Sequence, residues 1–524
     1  MQSIWLTAGR NWRDFERTCS RGQQIWRMVI SSNDSGGSKV LLHSDESMFS
    51  RTSKRRIAVA VLAASVLVAG ACTRSSDDVE AGSSETSAPA GGDDSSGSGG
   101  QSDAGPGDFG DLTDVCGPGD ASGATAQGVT DDEIVVGTIS DPENAGRPGL
   151  NQELFDASTV FTEWCNAAGG INGRKITNVE RDAKLSEYKQ RITEACEEDF
   201  MLVGGGGVFD DTGQVERVSC LLPEIPAYQV SPQSRGSDLI VNPIPASLDE
   251  LQVGAMNYLE KTFPGSTENV GFLTGTIPST VFIDAQLQDG AAELGWNTVY
   301  QAQYNPLGES SWTPFAQALK SAGVQGLVYS GEPENLAALL QAITDIDYEL
   351  DWTLAGSNAM DERFIEIGGD AVDSVYLAAT VVPPFLADEN PATQQYLDLF
   401  AEYLPDGKSM AGLGYNSFSA WLLFAQAVKA CGSEVTRACV YDEAKKVNEW
   451  TGGGLHARTH PATNQLTRCT IVVHATPDGF EVPDDFEPND GLFECSEDNV
   501  VGVDGDYGEG VTLESLGLSE DDLQ

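Results

Sequence analysis

Between two predicted elements of secondary structure, the chain reads Asn166-Ala167-Ala168-Gly169-Gly170-Ile171-Asn172-Gly173-Arg174-Lys175-Ile176. Apolar residues recur at helical spacing over residues 154–168, which lead into this stretch. Gly169 or Gly170 can end the helix in the left-handed conformation, and Asn172-Gly173 is typical of a tight turn into the next strand. The stretch therefore predicts a helix that ends in glycine, then a turn, then a strand.

Short apolar strands alternate with helical segments along the chain from about residue 129. Residues 133–137 form the first such strand, and the loop 138–149 separates it from the next helix. Strand–loop–helix repeats predict parallel sheets covered on both faces, with ligands bound outside the carboxyl ends of the strands. The later strand-end loops, which are all candidates for binding, begin at Gly204, Ser231, Thr274, Ser330 and Gly356.

Residues 166–176 resemble a signature of branched-chain amino-acid (leucine/isoleucine/valine-type) ABC-transporter solute-binding proteins. The order of the elements that follow is also similar, and the resemblance covers about residues 130–475. It implies the α/β fold of type I periplasmic-binding proteins, in which two Rossmann-like lobes with parallel central sheets are joined by three crossovers. Lobes of this kind close on a ligand about a hinge.

The resemblance also implies where the lobes divide. We place the crossovers near Pro245, Asn358 and Gly452. Lobe 1 is then residues 129–246 plus 358–451, lobe 2 is residues 247–357 plus 452–500, and an acidic tail follows at 501–524.

In the family, lobe 1 holds the main-chain groups of an amino acid through the loops after its second and third core strands. The matching candidates in this chain are Phe209, Asp210, Asp211, Thr212, Ser231, Gln233 and Ser234. Relatives usually carry small residues in the first of these loops. Two carboxylates at this position would repel a ligand carboxylate, which favours a cationic or polyol-like ligand. Alternatively, Asp210 and Asp211 cap the next helix, and Ser231 is a helix cap, a ligand donor or both.

In lobe 2 the family binds the ligand ammonium with an acidic residue in a Pro-Glu context. Glu334 matches that context best, and Glu332 is the near competitor. Thr276 lies in the loop after the first strand of lobe 2, and Asn358 lies in a later strand-end loop. The two glutamates could instead be the solvated first turn of a helix.

An export signal is predicted ahead of the folded part. Lys54-Arg55-Arg56 precedes the apolar run Ile57–Val68, and the small-residue stretch Ala69-Gly70-Ala71 ends at Cys72. This ending resembles a bacterial lipobox, which implies an acylated Cys72 that anchors the exported chain to the lipid bilayer. We expect the signal peptide to be 48–71 with Met48 as the start.

Residues 1–47 are then untranslated upstream sequence or a disordered extension. Residues 72–128 are expected to form the lipidated cysteine and a tether rich in Ser, Gly and Asp.

Eight cysteines follow Cys72, and in an exported chain this number suggests four disulfides. Proximity in sequence favours Cys431–Cys439, Cys196–Cys220 and Cys469–Cys495, which leaves Cys116–Cys165. The alternative, a zinc–thiolate site, has little support because the chain contains no CxxC pair.

Composition excludes several classes of function. The 524 residues carry 30 Lys and Arg against 80 Asp and Glu, a formal charge of −50, which argues against nucleic acid as a partner. Four histidines leave little room for acid–base or metal chemistry, so we expect no enzyme, cofactor or metal.

Together, the family resemblance and the predicted lipobox imply a solute-binding lipoprotein that binds a small polar solute, an amino acid or a related compound, on the outer face of the cytoplasmic membrane. It would deliver that solute to ABC permease membrane subunits. The alternative is a sensor that presents its ligand-closed form to a membrane signalling partner.

Overall fold

The computed structural model describes residues 27–32, 38–43 and 105–523. It divides the chain into two compact units, residues 1–96 and 97–524. In the first unit, β1 (Arg27–Ser32) pairs antiparallel with β2 (Ser38–His43), within the stretch 1–47 for which a disordered extension is one of the two expectations. The predicted signal peptide and Cys72 lie outside the described residues.

The second unit contains the alternating strands and helices expected from the sequence. Its strands are β3 (Glu133–Ser140), β4 (Lys175–Asp182), β5 (Leu202–Val203), β6 (Glu224–Ile225), β7 (Glu250–Gln252), β8 (Val270–Gly275), β9 (Thr298–Tyr304), β10 (Gly326–Ser330), β11 (Trp352–Ala355), β12 (Val375–Ala379), β13 (Cys469–Thr476), β14 (Gly479–Glu481), β15 (Glu494–Cys495) and β16 (Val500–Gly502). Its helices are α1 (Gln152–Ala168), α2 (Tyr188–Glu198), α3 (Gln214–Ser219), α4 (Pro232–Arg235), α5 (Gly254–Thr262), α6 (Pro278–Glu293), α7 (Thr313–Ala322), α8 (Pro333–Thr344), α9 (Glu362–Gly368), α10 (Pro391–Tyr403), α11 (Gly412–Cys431) and α12 (Arg437–Lys445).

The first lobe is built on a parallel sheet of order β4-β3-β5-β6, with α1–α4 and α10–α12 around it. One face of the sheet packs on α1 and α11, where the rings of Phe161 and Trp421 stack with centroids 5.5 Å apart. The other face packs on α2 through residues such as Tyr188 and Ile192. Burial on both faces explains why the centre of β3, Ile134 to Gly137, carries no polar side chain.

The second lobe is built on a sheet of order β14-β13-β12-β11-β10-β8-β9. The strands from β9 to β12 are parallel, and β13 and β14 are antiparallel additions at one edge. The predicted boundary near Asn358 is wrong, because β12 pairs with β11 and β13 and keeps the chain in the second lobe as far as Ala379. The strand is short, and its apolar sequence is compatible with either sheet.

Three crossovers connect the lobes, at about residues 240–249, 380–384 and 455–468. The third crossover is hydrogen-bonded to the other two. The amide of Val382 donates to the carbonyl of Leu455 at 2.8 Å, and the hydroxyl of Thr459 donates to the carbonyl of Pro243 at 2.8 Å. The three passes of chain therefore form one hydrogen-bonded hinge.

The stretch 166–176 has the predicted conformation. Gly169 and Gly170 both have positive φ, and a Cβ on Gly170 would lie 2.1 Å from the carbonyl oxygen of Arg174. The Asn166 amide group donates to the Ile176 carbonyl and accepts from the Ile176 amide, both at 2.8 Å. The helix end and the strand start are thus held together by one side chain.

All four disulfide pairings expected from the sequence are present: Cys116–Cys165, Cys196–Cys220, Cys431–Cys439 and Cys469–Cys495. The first joins the segment before β3 to the end of α1, and the last joins β15 to β13.

The predicted tether is wrong over residues 105–128. Phe109 is fully buried, its ring lies 4.9 Å from that of Phe418 in α11, and Trp164 donates its indole N–H to the Pro106 carbonyl. Residues 105–128 are part of the first lobe because they include large apolar residues such as Phe109. The Ser/Gly/Asp-rich sequence before residue 105 has almost none.

The predicted acidic tail is also ordered in the structure. Its first residues form β16, which pairs with β7, and Leu513 and Leu523 are buried in the core of the first lobe. None of the helices in the described part of the chain is long and apolar enough to cross a bilayer.

Candidate ligand-binding site

A cavity of about 280 Å³ lies between the two lobes. The first lobe contributes the loop and helix start at residues 147–153 and the segment 408–413 that leads into α11. The second lobe contributes the first turn of α8 and the segment 357–363 that follows β11. Three of these four segments follow strands of the two sheets or begin helices at the strand ends, where α/β folds bind ligands.

The lining of the cavity carries both signs of charge. Its cations are Arg147, Arg363 and Lys408, and its anions are Glu153, Glu334 and Asp361. Each lobe supplies at least one cation and one anion, so charged groups face the cavity from both sides. A solute that carries a positive and a negative group can therefore be met by opposite charges.

Glu153 is the most enclosed of these charges, with 8 % of its surface exposed. It lies in the first turn of α1, and the ammonium of Lys408 is 3.6 Å from its carboxylate. Burial raises the pKa of Glu153, and Lys408 opposes that shift. The contact with Lys408 leaves acceptor capacity on the carboxylate for a ligand donor.

Arg147 bridges the two lobes at the edge of the cavity. Its guanidinium pairs with the carboxylate of Glu332 and lies 3.3 Å from that of Glu334, at the start of α8. Arg363, on the second lobe, lies 3.9 Å from the same Glu334. A cation of one lobe thus contacts two acids of the other.

Asp210 is a structural residue. It is 2 % exposed, and its two carboxylate oxygens accept hydrogen bonds from the amides of Val230 and Ser231, at 2.9 and 3.0 Å. Burial raises its pKa to about 7. Asp210 therefore joins the loop after β5 to the loop after β6 and does not line the cavity.

The other candidates of these two loops also lie away from the cavity. Asp211 and Thr212 are exposed, and the Thr212 hydroxyl donates to the carbonyl of Phe209. Ser231 caps α4 by accepting from the amide of Ser234, so its helix-cap role is confirmed.

Gln229 donates to the Ser234 hydroxyl, and the Gln233 carbonyl accepts from the Val511 amide. Gln229, Gln233 and Ser234 do not line the cavity.

Two predicted residues of the second lobe line the cavity, Glu334 and Asn358, and Glu332 lies at its edge through Arg147. Asn358 donates its side-chain amide to the carbonyl of Gly331 at 3.1 Å, which ties together the loops after β10 and β11. Thr276 is exposed and does not line the cavity.

The sequence argument did not single out Arg147, Glu153, Asp361, Arg363 and Lys408. Arg147 belongs to the strand-end loop 138–149, which is the signal that could have identified it. Lys408 follows a helix rather than a strand, and only the packing of α11 on α1 brings it to Glu153.

Two larger cavities, of about 830 and 620 Å³, lie on the second lobe. The larger is open and is lined by residues that precede β11 and β12, such as Asp351 and Ser374, and so lies at the amino edge of the sheet. Neither touches the first lobe. Within residues 27–32, 38–43 and 105–523, no three His, Cys, Asp or Glu side chains are grouped as metal ligands.

The chain resembles solved structures of solute-binding proteins. A leucine binding protein from Thermotoga maritima is 14% identical, with a TM-score of 0.56, over 67% of this chain and 100% of that one. A fatty acid ABC transporter substrate-binding protein from Thermomonospora curvata is 16% identical, with a TM-score of 0.59, over 73% of this chain and 97% of that one. At these identities the likeness establishes the fold alone, which is the type I periplasmic-binding fold predicted from the sequence.

No curated protein matches the chain. The model of the family described as "Periplasmic binding protein" matches residues 134–480, which include both sheets and all three crossovers. The chain therefore belongs to the periplasmic binding protein family.

Proposed function

We propose that this chain is the lipid-anchored solute-binding component of an ABC importer, and that it closes its lobes on a small solute carrying both charge signs. Family membership implies an extracytoplasmic location and a small-solute ligand. The two solved structures above are those of a leucine binding protein and of a fatty acid ABC transporter substrate-binding protein. The anchor rests on the predicted lipobox at Cys72.

The observation that carries the ligand class is the charge arrangement of the interlobe cavity. Glu153 and Lys408 of the first lobe face Glu334 and Arg363 of the second across about 280 Å³. A zwitterion such as an amino acid offers each sign an opposite charge, whereas a long acyl chain offers these charged groups no polar partner.

The argument that Asp210 and Asp211 repel a ligand carboxylate does not apply to this cavity. Asp210 is engaged by two backbone amides, and Asp211 is exposed. This placement supports an amino-acid-like ligand over a purely cationic one or a polyol.

A thermal-shift panel on residues 97–524 tests the ligand class. The panel contains neutral amino acids, diamines, short carboxylic acids, polyols and a long-chain fatty acid. A ligand at 100 times its Kd stabilises the folded state by about 2.7 kcal/mol, which is a readable shift. We expect the neutral amino acids to raise the unfolding temperature of the protein. A rise with polyols or fatty acids alone would overturn the proposed class of ligand.

The variant Glu153→Gln tests the site. A hydrogen bond to a charged group contributes about 1.5–3 kcal/mol, so the affinity for a responding amino acid should fall by about tenfold to a hundredfold. Glu163→Gln is the matched control, because Glu163 lies on the same helix and is exposed. Equal affinities in the two variants would mean that this cavity is not the binding site. A folded protein that responds to no free solute would favour the sensor function.

A further inference from the structure

The segment 503–523 leaves the second lobe and returns to the first, and we call it the C-terminal strap. The residues that match the family model end at 480, so the strap lies beyond them. It is a fourth pass of chain between the lobes, in addition to the three crossovers.

The strap begins on the second lobe. β16 pairs with β7, and the amide of Val503 then donates to the carbonyl of Asp249 at 2.9 Å. The hydroxyl of Tyr507 donates to the carboxylate of Asp289 on α6, and its ring packs edge-on against Phe282 with centroids 5.5 Å apart. Tyr507 is thus the last anchor on the second lobe.

The strap reaches the first lobe within four residues. The carbonyl of Val511 accepts from the amide of Asp238 at 3.0 Å, and the Asp238 carboxylate accepts from the amide of Leu513 at 2.7 Å. Leu513 and Leu523 are 4 % and 7 % exposed in the core of this lobe. The ammonium of Lys445 lies 2.8 Å from the carboxylate of Glu520.

Tyr507 is the anchor on the second lobe and Val511 is the anchor on the first. Residues 508–510 form the link between them and run beside α4. A Cβ on Gly510 would lie 1.8 Å from the carbonyl oxygen of Gly236, so the two backbones are in close contact. At the same place Arg235 of the first lobe crosses to α6, where it donates to Gln286 at 2.9 Å and lies over the ring of Phe282. The strap therefore spans the face on which α4 and α6 meet.

From these contacts we propose that the C-terminal strap limits how far the lobes open. Four residue steps separate Tyr507 from Val511, and a fully extended chain covers at most about 3.3–3.6 Å per residue, or about 14 Å in total. Opening that carries α6 further than this from α4 must break one anchor. The strap thereby favours the closed arrangement and raises the fraction of protein competent to hold ligand.

Lengthening the link tests this proposal without removing either anchor. About twelve Gly and Ser residues, a flexible linker, would be inserted between Gly508 and Glu509, both of which are exposed. The matched control carries the same insertion between Pro477 and Asp478, in the β13–β14 turn, so that both its ends remain in the second lobe. The readout is the radius of gyration of ligand-free residues 97–524 by small-angle X-ray scattering.

We expect the radius of gyration to increase with the strap insertion and to stay unchanged with the control. A second variant, Tyr507→Phe, removes the hydroxyl that Asp289 accepts from and should give a smaller increase. Thermal unfolding verifies that each variant is folded. Folded variants with the radius of the unmodified protein would overturn the proposal and leave the strap as packing only. Because no ligand is used, this result is independent of the proposed solute.

Discussion

The guanidinium of Arg147, on the first lobe, lies 3.3 Å from the carboxylate of Glu334, on the second. The same guanidinium pairs with Glu332, so a single side chain joins the strand-end loops of the two lobes. These groups are about one-third exposed, and water screens their attraction. The contact therefore affects the equilibrium between open and closed lobes more than the stability of either lobe.

Arg147→Gln should open the ligand-free protein. The free energy of unfolding should change by less than about 1 kcal/mol, because the pairs are partly exposed. The radius of gyration should increase, since the contact between lobes is lost. Arg363→Gln is the matched control, because Arg363 approaches the same Glu334 from within the second lobe. If both variants have the same radius, Arg147 has no role in closure.

Asp210→Asn should destabilise the first lobe by about 1–3 kcal/mol. An Asn side chain has one acceptor oxygen, so one of the two backbone amides that Asp210 now satisfies would lose its partner. Asp211→Asn, at the exposed neighbour, should stay within about 0.5 kcal/mol of the unmodified protein. Chemical unfolding measures both values. Equal stabilities would contradict the structural role of Asp210.

His456 should make stability fall on acidification. It is 3 % exposed in the third crossover, and burial lowers its pKa to about 4. Its ordinary pKa is about 6.5, so between pH 6.5 and 4 the unfolded chain binds the proton and the folded one does not. This group alone should remove about 3 kcal/mol of stability from pH 7 to pH 4.

His456→Gln should flatten that pH dependence. His460→Gln, four residues further along the same crossover and half-buried, is the control and should keep the slope of the unmodified protein. Stability is followed by thermal unfolding from pH 4 to 7. If His456→Gln has the same slope of stability against pH as the unmodified protein, other groups control the loss of stability in acid.

Gly170→Ala should be far more disruptive than Gly323→Ala. Both glycines have positive φ, which costs a side chain about 1–2 kcal/mol. A Cβ on Gly170 would also overlap the carbonyl oxygen of Arg174, whereas one on Gly323 would meet no atom within 4 Å. We expect a loss of at least about 3 kcal/mol for Gly170→Ala. Urea unfolding of the two variants gives the comparison, and similar losses would mean that the turn at 166–176 adapts.

Part of the fold and little of the site could be predicted. The turn at 166–176 was identifiable because Gly169, Gly170 and Asn172-Gly173 act locally, through backbone conformation. Three disulfides were predicted from proximity in sequence, and Cys116–Cys165 was the pair that remained. The second crossover was misplaced because an apolar strand such as β12 has no feature that selects one sheet over the other.

In the candidate site, too, some residues could be predicted from the sequence and others could not. Glu334 was predicted from the Pro-Glu context that the resemblance supplied, and it lines the cavity. Asp210 was predicted to face a ligand, but its partners are the amides of Val230 and Ser231, twenty residues away. A carboxylate in a strand-end loop has the same sequence signal whether backbone amides or a ligand satisfy it.

The sequence by itself determined the alternation of strands and helices and the glycine turn, because these depend on neighbours along the chain. It favoured the three cysteine pairs that are close in sequence. Only the tertiary structure decided that Arg147, Glu153, Glu334 and Lys408 share one cavity, because they come from three separate segments of the chain. It also decided that the acidic C-terminus is a strap, because Leu513 and Leu523 are buried only where the first lobe offers them a core. Burial and charge pairing between distant segments are properties of the packed chain.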